Sequence, residues 1–345
     1  MGEWIRWSGL SYIEWISNDS FGTTTIALKN ENPIELSLPD NIKLTVFPSS
    51  SVPVTRSYAT SVTLRQRIMF SLEYCSPTKW QRTYSDALWF RRLVELGKGV
   101  PVNIDEALYL PWTEPVPEDS THLSDALFAL HEVSVGKGAH IVAKAEPHAR
   151  FYLFTFSNAV ECGAINVWYE KRTLLEPVID LYSLSYSGNA PSHVALFLNL
   201  MQALETLHAR FYARTKGEYR RRVDNLCTRT DDPNLRNYLW IPRQNQYRSV
   251  ILTCRMNDLL FADGSRPIEP RRDFCRFYEY GQRLANARNY YTHYDANKVM
   301  DAFSQEELFI VNHQLRLLVE FHLTTYLGFD RDCIRSKIVE LDRLV

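Results

Sequence analysis

The chain has no C-x-x-C pair, no Walker A loop, no G-x-G-x-x-G, no H-E-x-x-H and no zinc-knuckle spacing. These absences remove the common signatures of disulfide oxidoreductases, P-loop enzymes, dinucleotide-binding folds and zinc hydrolases. Six cysteines, at 75, 162, 227, 254, 275 and 333, are too scattered for a disulfide framework. They read as reduced thiols, which places the expected location in the cytoplasm. No run reaches the roughly 20 apolar residues of a membrane span. The best stretch, around Leu196, is broken by Asn199. At the start of the chain Trp4, Arg6 and Trp7 interrupt any signal-peptide core. The expectation is a soluble chain with no membrane partner and no cofactor.

What is present is apolar and aromatic material in quantity. Of 345 residues, 45% are hydrophobic and 13% aromatic, enough to bury two domain cores and to argue against general disorder. The net charge of -1 says little about partners. Its distribution says more. Residues 176–345 hold 20 of the 29 arginines and only three lysines. The planar guanidinium fork suits phosphate and base stacking, a weak lean toward an anionic partner, with helix-surface ion pairs as the equal alternative.

Hydrophobic periodicity changes near the middle of the chain. In residues 60–74, Val62, Leu64, Ile68, Phe70, Leu72 and Tyr74 alternate, the mark of a half-buried strand. Shorter alternations fall at Thr25–Leu28, Ile42–Phe47, His140–Ala143 and Phe151–Phe156, and residues 111–120 form a proline-rich loop. One helix interrupts them, with Ser85 as its cap and Gly97 as its stop. From about residue 176 the period becomes helical. Helices are expected over His193–Arg214, from Asp273 through Tyr291, and from a Ser304–Glu307 capping box to Gly328. Further helices are expected near 218–227, 247–262 and after Asp330. The fold class is therefore α+β in two domains: a β-rich, sandwich-like domain over 1–175 and an all-α bundle over 176–345.

The chemistry concentrates in Arg288-Asn289-Tyr290-Tyr291-Thr292-His293, followed by Tyr294 and Asp295. Arg288 sits where the stripe of Phe277, Gly281, Leu284 and Tyr291 calls for an apolar side chain. A guanidinium cannot shed its charge, so either a carboxylate such as Glu205 meets it or the seam opens there onto a cleft or a second subunit. On one straight helix, Arg288 and His293 diverge by roughly 140°. Their convergence requires a break, expected near 292–294. Asn289 lies four residues before His293, in reach to orient its ring. A histidine–arginine pair without acidic metal ligands fits RNA cleavage through the substrate's own 2′-OH. The imidazole takes the proton and the guanidinium holds the phosphate, with no metal required. The products are a 2′,3′-cyclic phosphate and a 5′-OH. A symmetric dimer supplies a second Arg–His set for the leaving group. The spacing alone is weak, since about 0.8 matches to R-x-x-x-x-H arise by chance at this composition.

The segment RNYYTHYD resembles the active-site motif of HEPN ribonucleases. Gln202-Ala203-Leu204-Glu205-Thr206-Leu207-His208 resembles the first helix of the ApeA-type HEPN branch, and residues 89–97 with Val100-Pro101-Val102 resemble that branch's N-terminal domain. The resemblance covers 176–330 well and the first half loosely. It implies a homodimeric RNase of anti-phage defence acting by abortive infection, with tRNA as a target and a phage-derived trigger. Arg288 and His293 would be catalytic and Asn289 accessory. The alternative is a non-catalytic HEPN module that dimerises and binds nucleic acid or a trigger.

Other residues rank lower. Glu205 and His208 form one E-x-x-H, half of a di-metal carboxylate site whose second half is missing. His208 reads first as a satisfied core histidine, with both residues as cleft lining in the alternative. The basic run Arg210, Arg214, Lys216, Arg220, Arg221 and Arg222 is offered to RNA phosphates, with a solvated helix face as the equal reading. Tyr291 and Tyr294 are offered to RNA bases.

Overall fold

The computed structural model describes residues 11–18, 23–30, 32–51, 65–102, 104, 108–109, 131–132, 152–185, 192–271, 276–294, 299–300 and 302–344. The chain divides into two compact units, Met1–Glu170 and Lys171–Val345. The expected strand at His140–Ala143, the loop at 111–120, Asp273 and Phe274 at the start of the helix expected through Tyr291, and Asp295 lie outside the described residues.

In the first unit, β1 (Ser11–Asn18) pairs antiparallel with β2 (Thr23–Asn30). β3 (Ile34–Leu38), β4 (Ile42–Ser51) and β5 (Arg65–Tyr74) form an antiparallel sheet in that order. The alternation sets its register. Ile42, Leu44 and Val46 are buried and pair with Tyr74, Leu72 and Phe70. Successive side chains leave opposite faces, so this set makes one apolar ladder. A short pair, β6 (Leu108–Tyr109) and β7 (His131–Glu132), completes the described strands.

Against the three-stranded sheet lies α1 (Trp80–Lys98), where Phe90 meets Phe70 at 4.8 Å between ring centroids. This helix differs from the expected one at both ends. It starts five residues before Ser85, without a side-chain cap, and Trp80 stacks on Tyr84 inside its first turn. It passes through Gly97 and stops at Gly99, which takes the left-handed conformation (φ 69°) that a side chain disfavours. Two short helices follow, α2 (Phe156–Glu161) and α3 (Ala164–Glu170). The strand expected at Phe151–Phe156 is not formed. Thr155 and Asn158 make a capping box that starts α2 at Phe156, and Tyr152, Leu153 and Phe154 are all buried rather than alternating. Trp89 of α1 and Trp168 of α3 stack at 4.5 Å, and each indole N–H donates to the other residue's carbonyl.

The second unit is all-helical: α4 (Arg172–Ser183), α5 (His193–Leu207), α6 (Lys216–Thr228), α7 (Leu235–Leu239), α8 (Leu252–Phe261), α9 (Phe277–His293), α10 (Gln305–Tyr326) and α11 (Arg331–Asp342). The central α5 packs on α4, α8, α9 and α10. Local chemistry sets several ends. Ser192 caps α5, and capping boxes start α6 (Thr215, Glu218) and α10 (Ser304, Glu307). Pro177 inside α4 has no N–H to give the Thr173 carbonyl, and the Arg210 guanidinium donates to it instead at 3.1 Å. The expected helix to Arg214 changes character at His208. Residues His208–Tyr212 widen into a π-turn, closed by the Ala213 N–H on the His208 carbonyl. At the crossing of α8 and α9, a Cβ on Gly281 would meet the Asn257 side chain at 1.9 Å, so the two helices approach there only because Gly281 has none.

Candidate active site

The last two turns of α9 carry the residues singled out by their chemistry. The helix begins at Phe277, with Arg276 extended before it. Leu284 and Ala287 have no exposed surface, and Tyr291 is 9% exposed, so the expected apolar seam is real. The seam opens at Arg288, whose side chain is 33% exposed. Glu205 of α5 does face it, at 3.9 Å, and is itself 39% exposed. A pair that long and that wet contributes little and leaves the guanidinium free to turn to a phosphate. The expected carboxylate partner is therefore the right one, without the burial that would lock it.

Tyr291 fixes this end of the helix. Its hydroxyl donates to the Phe303 carbonyl at 2.8 Å and accepts from the Phe303 N–H at 3.0 Å. Burial pushes its phenol above the ordinary tyrosine range, which keeps the donating proton in place. Phe197 of α5 meets both the Tyr291 and Phe303 rings edge-on, at 5.6 and 5.9 Å. The site is thus tied to the start of α10 and to α5. Tyr291 is framework, and its hydroxyl is not available to a base.

The helix does not break between Arg288 and His293. The Thr292 hydroxyl bonds back to the Arg288 carbonyl at 2.8 Å, His293 is the last helical residue, and the chain turns only at Tyr294, which is left-handed (φ 51°). The expected break at 292–294 falls one residue too late to bring the pair together. Five helical residues separate them by roughly 7.5 Å along the axis and roughly 140° around it. Asn289 accepts from the Arg288 guanidinium at 3.4 Å rather than bonding His293. His293 and Tyr294 are exposed, Tyr294 by 71%.

His208 is enclosed. It has no exposed surface, its Nε2 donates to Asp258 at 3.0 Å, and Arg255 lies 3.4 Å from Nδ1. Burial pushes the imidazole below its ordinary value against the pull of Asp258. Burial would raise Asp258, yet the His208 hydrogen bond and the Arg222 guanidinium, 2.8 Å away, hold it below the usual carboxylate range. This is the satisfied core histidine, enclosed by Asp258, Arg255 and Tyr219 with no surface open to solvent. Sequence reading missed its partners Asp258, Arg222 and Arg255.

The basic run divides in the same way. Arg214, Arg220 and Arg221 are exposed. Arg222 bridges Asp258 and Asp263, and Arg210 is spent on α4. Lys216 donates to the carbonyls of Asn245 and Tyr247 and lies 5.8 Å from the Trp240 ring centre. Among the described residues no three His, Cys, Asp or Glu side chains gather as a metal site, and no helix is long and apolar enough to cross a membrane.

Two family models match the chain. One, described as ApeA N-terminal domain 1, covers residues 1–107; the other, described as Apea-like HEPN, covers residues 198–333. The second match contains α9 whole, with Arg288 and His293. No curated protein and no solved structure gives a significant match.

Proposed function

We propose that this chain, which belongs to the ApeA-type HEPN proteins by both of its matched domains, is an endoribonuclease that cuts RNA by attack of the 2′-OH on the neighbouring phosphodiester. HEPN families are generally nucleases, they dimerise and bind nucleic acid, and the ApeA branch serves anti-phage defence. The observation that carries the finer reading is the exposed end of α9. It offers solvent one loosely paired guanidinium and one imidazole within two helical turns. His293 takes the 2′-OH proton. Arg288 holds the phosphate and the charge that builds on its oxygens. Asn289, against the guanidinium, helps to aim it. The products are a 2′,3′-cyclic phosphate and a 5′-OH, formed without a metal, from an RNA target such as tRNA in abortive infection after a phage-derived trigger.

Because α9 runs unbroken through His293, one chain does not turn both groups to one phosphate. A two-fold homodimer resolves this by pairing Arg288 of one protomer with the imidazole of the other. The stretch after the site supports an interface. Tyr294, Val299, Met300 and Phe309 are 71, 50, 89 and 55% exposed, apolar side chains close to the site in sequence that a second protomer would cover. Exposed Arg214, Arg220 and Arg221 add positive charge for the RNA backbone.

The test is complementation. Arg288→Ala and His293→Ala are each inactive on bulk tRNA in excess chelator. A mixed dimer of the two regains one composite site and cuts, with cyclic-phosphate ends found by end sequencing. Inactive mixed dimers refute the composite site. Activity in His293→Ala alone removes that residue from the chemistry. Cleavage abolished by chelator makes the enzyme a metal nuclease, and no cleavage under any condition returns the non-catalytic binding module.

A further inference from the structure

A second feature lies at the π-turn, on residues the cleavage reading does not use. A cleft of about 300 Å³ opens between the π-turn, the end of α10 and the start of α11, lined by Phe211, Tyr212, His322, Thr325, Tyr326 and Arg331. That volume is at the small end of ligand pockets. Three of the six lining residues are phenyl or phenol rings. Phe211 and Tyr326 meet at 4.2 Å between centroids. The wider π-turn is what brings both Phe211 and Tyr212 to this side, a distortion that the α-helical pattern of α5 does not call for.

The polar groups are few and differ in their commitments. His322 is fully spent: Nδ1 accepts from the Tyr212 hydroxyl at 2.6 Å and Nε2 donates to the Leu259 carbonyl at 3.0 Å. Burial pushes its pKa down to about 4, so it is a neutral wall at pH 7. Thr325 is the opposite case. Its hydroxyl is buried and has no hydrogen-bond partner among the described residues. Its neighbour Thr324 bonds back to the Glu320 carbonyl at 2.7 Å, the usual solution for a helical threonine. The oxygen has almost no exposed surface, so a ligand atom in the cleft meets it only after a turn of the side chain about χ1. Arg331 supplies the charge. Its side chain is 38% exposed and touches one carboxylate, Asp263, at 3.3 Å. Asp263 keeps Arg222 at 2.6 Å, so Arg331 can leave without stranding the acid.

We propose that this cleft binds one nucleotide, with the base against Phe211 and Tyr326, a base-edge atom on the Thr325 hydroxyl, and the phosphate on Arg331; the Tyr212 ring is already taken by Arg222, 4.6 Å from its centre, and by His208. Rings stack on any base face, the unmet hydroxyl discriminates at the edge, and a guanidinium is the natural phosphate fork. The nucleotide is either free in solution or one residue of a bound RNA. The proposal stands apart from the nuclease reading, because neither Arg288 nor His293 takes part.

Equilibrium dialysis of the full chain tests it, with AMP, GMP, CMP, UMP, ribose 5-phosphate and inorganic phosphate as probes. The expected result is saturable binding of at least one mononucleotide, one per chain, about tenfold or more tighter than ribose 5-phosphate or phosphate. Arg331→Gln and Tyr326→Ala each weaken it by about tenfold or more, and Thr325→Val changes the preference among bases. Melting curves show which variants are folded, and Thr325→Val, close in shape, serves if the larger changes do not fold. A short RNA, added to the His293→Ala chain so that it stays intact, decides the source. Displacement of bound nucleotide assigns the cleft to RNA, and no displacement assigns it to free nucleotide. Absence of saturable binding up to ~1 mM overturns the proposal. So does binding that all three variants leave unchanged, or binding no tighter than phosphate alone.

Discussion

Removing one oxygen from Tyr291 tests whether the C-terminal end of α9 is held as described. Tyr291→Phe keeps the ring against Phe197 and deletes only the hydroxyl, which serves both backbone groups of Phe303. Phe303 is 5% exposed, so water does not easily replace the lost partner. A buried backbone group left unmet costs about 1–3 kcal/mol, and the two together, with partial relaxation, about 2–3 kcal/mol. For a unit of this size each kcal/mol moves the melting midpoint by roughly 2–4 °C, so the variant should melt roughly 4–12 °C lower. Amide exchange should accelerate at the end of α9 and the start of α10 before it does in α5. If α9 carries the proposed chemistry, cleavage should slow while RNA binding holds, because the hydroxyl is engaged by the Phe303 backbone. The control is Glu340→Ala, at an exposed position on α11, which should leave the midpoint nearly unmoved. A Tyr291→Phe protein with wild-type melting and wild-type protection would refute the clamp.

Three further outcomes are expected. Glu320, 1% exposed and bonded by the Tyr182 hydroxyl, has its pKa raised by burial, against the pull of Arg316, from 4.5 to about 7. The folded chain therefore holds a proton that the unfolded chain loses between these values; stability falls by up to about 3 kcal/mol as pH rises from 4.5 to 7, and Glu320→Gln should flatten that slope in urea unfolding. Parallel slopes would show that the carboxyl is not the group titrating. Gly281→Ala pushes a methyl into Asn257, whose amide also bonds the Tyr238 carbonyl, and should destabilise by about 1–3 kcal/mol by the same measurement, whereas a neutral result would mean that α8 and α9 can slide apart. DNA of the same sequence as a cleaved RNA should stay intact, since it lacks the attacking hydroxyl; cut DNA would end the proposed mechanism.

Much of the second unit was legible because its signals are local. The Ser304–Glu307 box lies within four residues and forms as expected, and the seam of α9 runs through Leu284 and Tyr291 as its spacing implies. Failures came where a longer-range choice, or a second local signal, overrode the local one that was read. Ser85 is a good cap by type, yet α1 starts at Trp80, and of two glycines near its end only Gly99 turns left-handed. Alternation over Phe151–Phe156 resembled a strand because nearly every residue there is buried, and the Thr155–Asn158 box settles the matter for a helix. The site shows the same division. Exposure of Arg288 followed from a charge in an apolar stripe. His208's fate depended on Asp258, 50 residues away, and Lys216's on carbonyls about 30 residues away, pairings that no periodicity encodes.

The continuity of α9 has a consequence for control. The Tyr291 clamp ties down this end of α9 and the helix runs unbroken to His293, so the backbone positions of Arg288 and His293 diverge within one chain. Divergence of that kind would be a defect in a monomeric enzyme. In a dimer it is useful, because each half-site is preorganised and yet incomplete. Bringing the halves together then needs no rearrangement of either helix, only the correct docking of two exposed ends. On this reading the step that a defence nuclease must restrain is assembly rather than chemistry. A weakly held pair such as Arg288 and Glu205 fits that requirement: it parks the charge between encounters and releases it at little cost when a phosphate arrives.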